Sequence, residues 1–385
     1  MIDHWIEAAT RNADATIHRT TAITSDARRQ PGMIGRSRDQ WSEGMQGATR
    51  EGRSLAMDVT RVVACAMVVL VHTAAGYFYT FGPLWVPAVV FDAFSRAAVP
   101  IFFMLSGALL LWRDEPVLSF YKKRLPRIVV PLVFWTVVYV ALFGDHTLSP
   151  GALVARYLMG PYEHLWYLYA AFGLYLAAPY LGRILRSSTE REIRVFLVVW
   201  FVVACVLNQV RLLWAIDWDP PSHLGAQLFS GFIGFFVLGA YLERYRPHAS
   251  ATGCWIGAVA FCVCGAAIAF ATCRYSAYLG VPNEYFFSYL TPLVAISAAS
   301  AYVALSGITR LPGPLTAMVG FISDGSLGIY CLHPMFLWLY VKHLHMDASI
   351  DAPWLRIPIV WAAVFASTAI VVHVLRKLPL ARRVT

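Results

Sequence analysis

Charge is what this chain has little of. Only 14% of its 385 residues are Asp, Glu, Lys or Arg, while 58% are hydrophobic. A soluble domain usually carries about 25% charged residues, so a water-soluble globular protein is excluded. Cysteine chemistry is absent as well. The seven cysteines fall mostly within apolar stretches, and Cys262 with Cys264 lacks the second pair or nearby histidine cluster of a zinc site. They read as small apolar fillers. No Walker or dinucleotide-type glycine loop occurs, which removes support for ATP chemistry. The first 50 residues contain no apolar run and mix six acidic residues with seven arginines, so neither a secretory signal nor an acid-poor transit peptide fits. Arg28-Arg29 precedes no apolar segment, which argues against a twin-arginine signal. Residues 1–53 read as a disordered cytoplasmic arm, with Met33 and Met45 as alternative starts.

What is present is apolar sequence in membrane-length stretches. Mean hydropathy is +0.58, and a bilayer is crossed by about 17–25 helical residues. Spans are predicted at Met57–Tyr79, Val86–Trp112, Ile128–Phe143, Leu165–Leu185 and Val195–Trp214. Five more follow at Gln227–Leu242, Cys254–Ala271, Phe287–Leu305, Met318–Val341 and Ile357–Leu375. The expected fold is all-α, a polytopic integral membrane protein of about ten transmembrane helices. With both termini in the cytoplasm, 24 of the 31 Lys and Arg fall on the inner side. Only Arg156, Arg211, Arg274, Lys342 and Arg356 fall outside, as the positive-inside rule requires. The net charge of +9 then reflects loops beside anionic membrane lipid, and nucleic acid need not be invoked. The expected organisation is the arm, a ten-helix membrane domain over residues 54–376, and a short basic cytoplasmic tail over residues 377–385. Helix faces that pack within and between subunits look alike, so no oligomeric state follows.

Ionisable groups inside a membrane are costly and usually line a cavity or pathway. Arg61 and His72 are eleven residues apart on the first span. At about 100° and 1.5 Å per residue they share one helix face about 16 Å apart. Asp58, three residues before Arg61, is placed to hold the guanidinium. Taken singly, the histidine reads as packing and the arginine as an interfacial anchor. Taken together, they offer a base for a hydroxyl proton and a cation for developing negative charge. Arg96 on the second span is predicted at roughly the depth of His72, and Pro100 beyond it frees a backbone carbonyl, as at a cavity wall. Ser106-Gly107 in that span reads equally well as a small-residue helix contact. Lys122, Lys123, Arg124 and Arg127 form an inner loop that serves as a topological stop signal. They are also the densest cationic site for phosphates such as those of coenzyme A. His164 and Trp166 open the fourth span at its outer end, where aromatic anchoring is ordinary and His164 is placed to meet an external substrate. His333, beside the helix-bending Pro334, puts a second histidine inside the membrane.

In order, the chain carries Arg61-x10-His72, VPIFFMLSG at Val99–Gly107, KKRLPRIVVP at Lys122–Pro131, HLWYL around Trp166 and GIYCLHP at Gly328–Pro334. Together these resemble membrane acyltransferase family 3, bacterial acyltransferases that modify cell-surface sugars, across about Ser54–Leu375. The chain is similar to the short branch, because it ends ten residues past the last span and has no room for the hydrolase-like domain of longer members. The resemblance implies transfer of an acyl group, usually acetyl, from cytoplasmic acyl-CoA to a hydroxyl of a glycan or lipid-linked sugar. It implies acetyl-CoA as co-substrate, no bound cofactor, no metal and a bacterial inner (cytoplasmic) membrane location. The family's essential arginine and histidine match Arg61 and His72, and its basic motif matches Arg124 and Arg127. On this basis His72 is the general base, acting on the acceptor hydroxyl or on a relay that passes the acyl group across the membrane. Arg61 positions the thioester or its phosphates, and Arg96 stabilises the oxyanion. One departure concerns longer members, which commonly have an acid before the paired phenylalanines, where this chain reads Val99-Pro100-Ile101. Roles of that acid do not transfer, and Arg96 is expected to replace part of them. Two rivals stand beside this reading. A transporter or flippase of a lipid-linked sugar also needs intramembrane charge and often shows inverted repeats with matching broken helices, of which the sequence has no internal match. A non-catalytic scaffold, in which the histidines only pack, predicts that His72→Ala lowers abundance and not activity.

Overall fold

The computed structural model describes residues 54–143, 149, 151, 163–214, 231–346 and 350–385. The expected arm, Arg156 and the start of the sixth expected span lie outside the described residues. The described chain is helical, without strands, as it must be where only internal hydrogen bonds can satisfy the backbone. Its helices are α1 Leu55–Ala75, α2 Trp85–Ser95, α3 Ala98–Leu110, α4 Val117–Arg124, α5 Pro126–Phe143, α6 Trp166–Ser187 and α7 Glu190–Trp200. They continue as α8 Leu207–Leu213, α9 Ile233–Tyr245, α10 Ala251–Leu279, α11 Pro292–Ser306, α12 Gly313–Asp324, α13 Ser326–Trp338 and α14 Pro353–Leu375. α2 with α3, α4 with α5, and α7 with α8 run together as single long helices. Among the described residues, eight helices are long and apolar enough to cross a membrane, or nine if the pair α12 and α13 is one span. Ten were expected. The sixth expected span is described only from α9, a helix of 13 residues.

Local chemistry fixes the helix ends. Thr189 starts α7 with a capping box: its hydroxyl accepts from the Glu192 N–H at 3.3 Å, while its own N–H donates to Glu192 Oε2 at 2.6 Å. Ser250 caps α10 by accepting from the Gly253 N–H at 3.1 Å, and Gly280, at φ 71°, ends that helix in the left-handed region that favours glycine.

Two segments differ from the sequence expectation. The ninth expected span, Met318–Val341, is bent by 75° between α12 and α13. Gly325 sits at the break, flanked by Asp324 and Ser326, residue types that favour turns over helix interiors. The basic stretch, expected as a loop, is helical: Lys122, Lys123 and Arg124 close α4, a turn at Leu125 follows, and Pro126 begins α5 as a proline can at a first helical turn. The 377–385 segment is packed against the helices. Trp135 Nε1 donates to the Val384 carbonyl at 2.7 Å, Arg376 donates to the Thr385 carbonyl at 2.6 Å, and both terminal residues are buried.

α1 is the central helix and packs against α2, α3, α11, α12, α13 and α14. Close backbone approach holds the layers around it. A Cβ on Gly107 would fall on the Phe236 carbonyl of α9, and one on Gly239 would fall on the Met104 backbone of α3. The Ser106-Gly107 pair therefore serves helix packing through its glycine. Overpacking a close-packed interior costs about 1–3 kcal/mol where side chains can yield, and here the obstacle is backbone. Gly107→Val is expected to lower the folded fraction several-fold, read as the monodisperse peak of detergent-solubilised protein. A wild-type yield would show that α3 and α9 separate freely.

Candidate active site

Because α1 is one unbroken helix and the bent pair α12 and α13 packs against it, both ends of one α1 face gain partners. At the Arg61 end, Arg61 donates to Asp58 Oδ1 and to the Ser323 hydroxyl, each at 3.0 Å, and that hydroxyl donates to Asp58 Oδ1 at 2.6 Å. The i,i+3 spacing supplies Asp58, and the end of α12 supplies Ser323. These bonds fix the direction of a mostly buried guanidinium. The basic helix α4 lies at this same end. Lys123 bonds Glu115 at 2.5 Å, and Arg124 lies 3.7 Å from the same carboxylate and 6.0 Å from the Phe120 ring centroid. The hydrogen bond from Lys123 holds the Glu115 carboxyl below its usual range. Lys122, Lys123 and Arg127 are exposed, and Arg124 is partly buried. Arg61, Arg124 and Arg127 all lie within electrostatic reach of the Tyr175 phenol on α6. Ser106 on α3 lies near the Tyr167 and Tyr175 side chains of α6, between the cationic end and the cavity wall that Tyr167 lines.

At the other end of the α1 face, His72 lies on the wall of a small cavity together with His164, Trp166, Tyr167, Tyr289 and Tyr330. His164 is not at the surface. The short turn Glu163–Leu165 that precedes α6 turns it inward, and only 4% of it is exposed. Ring centroids of His72 and His164 are 6.2 Å apart, those of His72 and His333 5.0 Å, and those of His164 and His333 5.8 Å. His333 is wholly buried, with Nδ1 3.1 Å from the Ile329 carbonyl. A carbonyl can only accept, so Nδ1 carries the proton and Nε2 presents its lone pair. No hydrogen-bond partner meets that Nε2 among the described residues. Tyr330 donates to the His164 carbonyl and Tyr139 to the Cys331 carbonyl at 2.7 Å, which ties the His164 turn to α13 and α13 to α5. Among the described residues, no group of three or more His, Cys, Asp or Glu is arranged to hold a metal ion, the three histidines included.

A buried ion pair completes the surroundings. Arg96 Nε lies 2.6 Å from Asp92 Oδ1, and its terminal nitrogen donates to Oδ2 at 2.6 Å. The guanidinium also lies 4.5 Å from the Phe287 ring centroid and 5.8 Å from that of Tyr289. It sits where the helix is interrupted at Arg96 and Ala97, four residues before Pro100, whose missing N–H leaves the Arg96 carbonyl without its helical donor.

Residues 54–376 match the family model described as an acyltransferase domain, that of membrane acyltransferase family 3. The chain belongs to this family. No curated protein and no solved structure matches it. This acyltransferase is a polytopic membrane protein, and its family membership covers every residue of both clusters above.

For the acyltransferase, the structure gathers His72, His164, His333 and Trp166 around one cavity region, and Asp58, Arg61, Arg124 and Arg127 toward the other end of α1. Lys122 and Lys123 are exposed on α4, with Lys123 paired to Glu115, and Ser106 lies between the two regions. Arg96 is close to the cavity but committed to Asp92, so a developing oxyanion would share it with a carboxylate. Asp92, Ser323, Tyr175 and Tyr289 were not singled out as site residues in the sequence. The signal for Asp92 was present, since it precedes Arg96 by four residues.

Proposed function

We propose that this membrane acyltransferase moves an acetyl group from acetyl-CoA to a hydroxyl of a cell-surface or lipid-linked glycan in a bacterial inner membrane. The observation that carries the reading is the single face of α1. It has a clamped arginine beside further cations at one end and a histidine on a cavity wall at the other. The basic end faces the cytoplasm, as the lysine and arginine bias favours, and both termini lie there. Arg61, Arg124 and Arg127 hold the donor's phosphates, and the thioester reaches His72. The neutral imidazole takes the proton of the acceptor hydroxyl as its oxygen attacks the thioester carbonyl. The carbon–sulfur bond then breaks, and the imidazolium returns that proton to the thiolate. Products are the acetyl ester and free coenzyme A.

The test is transfer of radiolabelled acetyl from acetyl-CoA into the glycan fraction of membranes that contain the protein. Arg124→Gln and Arg127→Gln are each expected to raise KM for acetyl-CoA about tenfold, the worth of one hydrogen bond to a charged group, with kcat nearly unchanged. The phosphate-free donor acetyl-pantetheine should not distinguish these variants from wild type. Equal losses with both donors would remove the phosphate assignment. No label from acetyl-CoA or succinyl-CoA would favour a transporter of lipid-linked sugar.

A further inference from the structure

The cavity beside His72 has an apolar wall that catalysis as described above does not use. Val68 and Val71 stand on α1, one turn before His72 and next to it, and Ala98 and Val99 begin α3 directly after the interruption at Arg96. All four are buried. Free space within the cavity is that of about one or two water molecules. This accommodates the methyl and carbonyl of an acetyl group and not a four-carbon chain. The wall is not easily pushed back, because α3 is held against α9 by the Gly107 and Gly239 contacts. Charge matters too. The buried cation nearest this wall in the chain, Arg96, is bound by both carboxylate oxygens of Asp92. A carboxylate-ended acyl group would have to displace Asp92 or remain buried without a cation, and either is costly.

We propose that Val68, Ala98 and Val99 form the seat of the transferred acyl group and limit it to a short, uncharged acyl chain. The inference rests on the reading that a thioester donor delivers its acyl group at His72. Differently labelled acetyl-, butyryl- and succinyl-CoA, supplied together at equal concentration to one membrane preparation, test it. The ratio of incorporated labels is independent of how much protein has folded. Wild type is expected to favour acetyl over butyryl and over succinyl by at least about tenfold, since one methylene in a fitted pocket is worth about 10–200-fold. Val99→Ala and Val68→Ala should each raise the butyryl-to-acetyl ratio about tenfold, and Ala98→Val should lower it further. Wild-type protein that uses butyryl or succinyl as readily as acetyl would overturn the proposal. So would widened variants that transfer acetyl with an unchanged ratio. Absence of label from every thioester would instead overturn the donor reading, and the seat with it.

Discussion

Replacing His72 with alanine is expected to reduce acetyl transfer by about 10²–10⁴-fold, the contribution of a positioned general base, while the protein remains in the membrane at wild-type abundance. His72 borders open space on one side, so truncation enlarges an existing cavity and creates no new void in the core. His72→Gln offers a sharper comparison, because it keeps a hydrogen-bonding group of similar reach and lacks a basic nitrogen. It should be as inactive as the alanine variant. If hydrogen bonding alone were the contribution of His72, the glutamine variant would recover much of the rate. The measurement is incorporation of radiolabelled acetyl from acetyl-CoA, with expression matched by immunoblot. Full transfer by His72→Ala would remove the catalytic assignment. Loss of the protein itself, with normal activity per folded molecule, would favour the scaffold reading.

The relation of Arg61 to His72 was legible because a single straight helix has a fixed period, so spacing alone places two side chains on one face. Asp58 followed by the same rule, and its bond to Arg61 has the expected i,i+3 geometry. The gathering of His164 and His333 onto His72 follows no local rule. It depends on how α5, α6 and α13 pack, and the sequence neighbours of His164 favour an aromatic anchor at a membrane surface. The bend at Gly325 was concealed by apolar residues on both sides, which continue the hydropathic pattern through a turn-forming segment, Ser323-Asp324-Gly325-Ser326. It matters for the site, because one arm of the bend carries Ser323 to Arg61 and the other carries His333 to His72. The stop-signal reading of Lys122–Arg127 concealed a helix for a related reason. Positive charge reports topology and says little about backbone conformation. Asp92 was a different kind of omission: its i,i+4 relation to Arg96 was as plain as that of Asp58 to Arg61.

Asp92→Ala is expected to destabilise the fold by about 3–5 kcal/mol, the cost of leaving one member of a buried ion pair without its partner. Arginine does not shed its proton at any ordinary pH, and this guanidinium is enclosed between Asp92 and the Phe287 ring, with 12% of its side chain exposed. It therefore has no inexpensive response to losing the carboxylate. Most of the Asp92→Ala protein should be lost from the monodisperse, detergent-solubilised fraction. Asp92→Asn, which keeps one acceptor oxygen and loses the charge, should fall between the two. Removing both charges with Asp92→Leu and Arg96→Met should restore yield, because similarly sized apolar residues commonly replace a buried pair at little or no cost. Transfer by this folded double variant then separates two roles. If Arg96 only supports the helix interruption ahead of Ala98, activity returns with the fold. If its charge acts on the reacting carbonyl, the double variant is well folded and slow, with kcat reduced and KM for acetyl-CoA near wild type. A wild-type yield of Asp92→Ala would show that the pair contributes little to the fold.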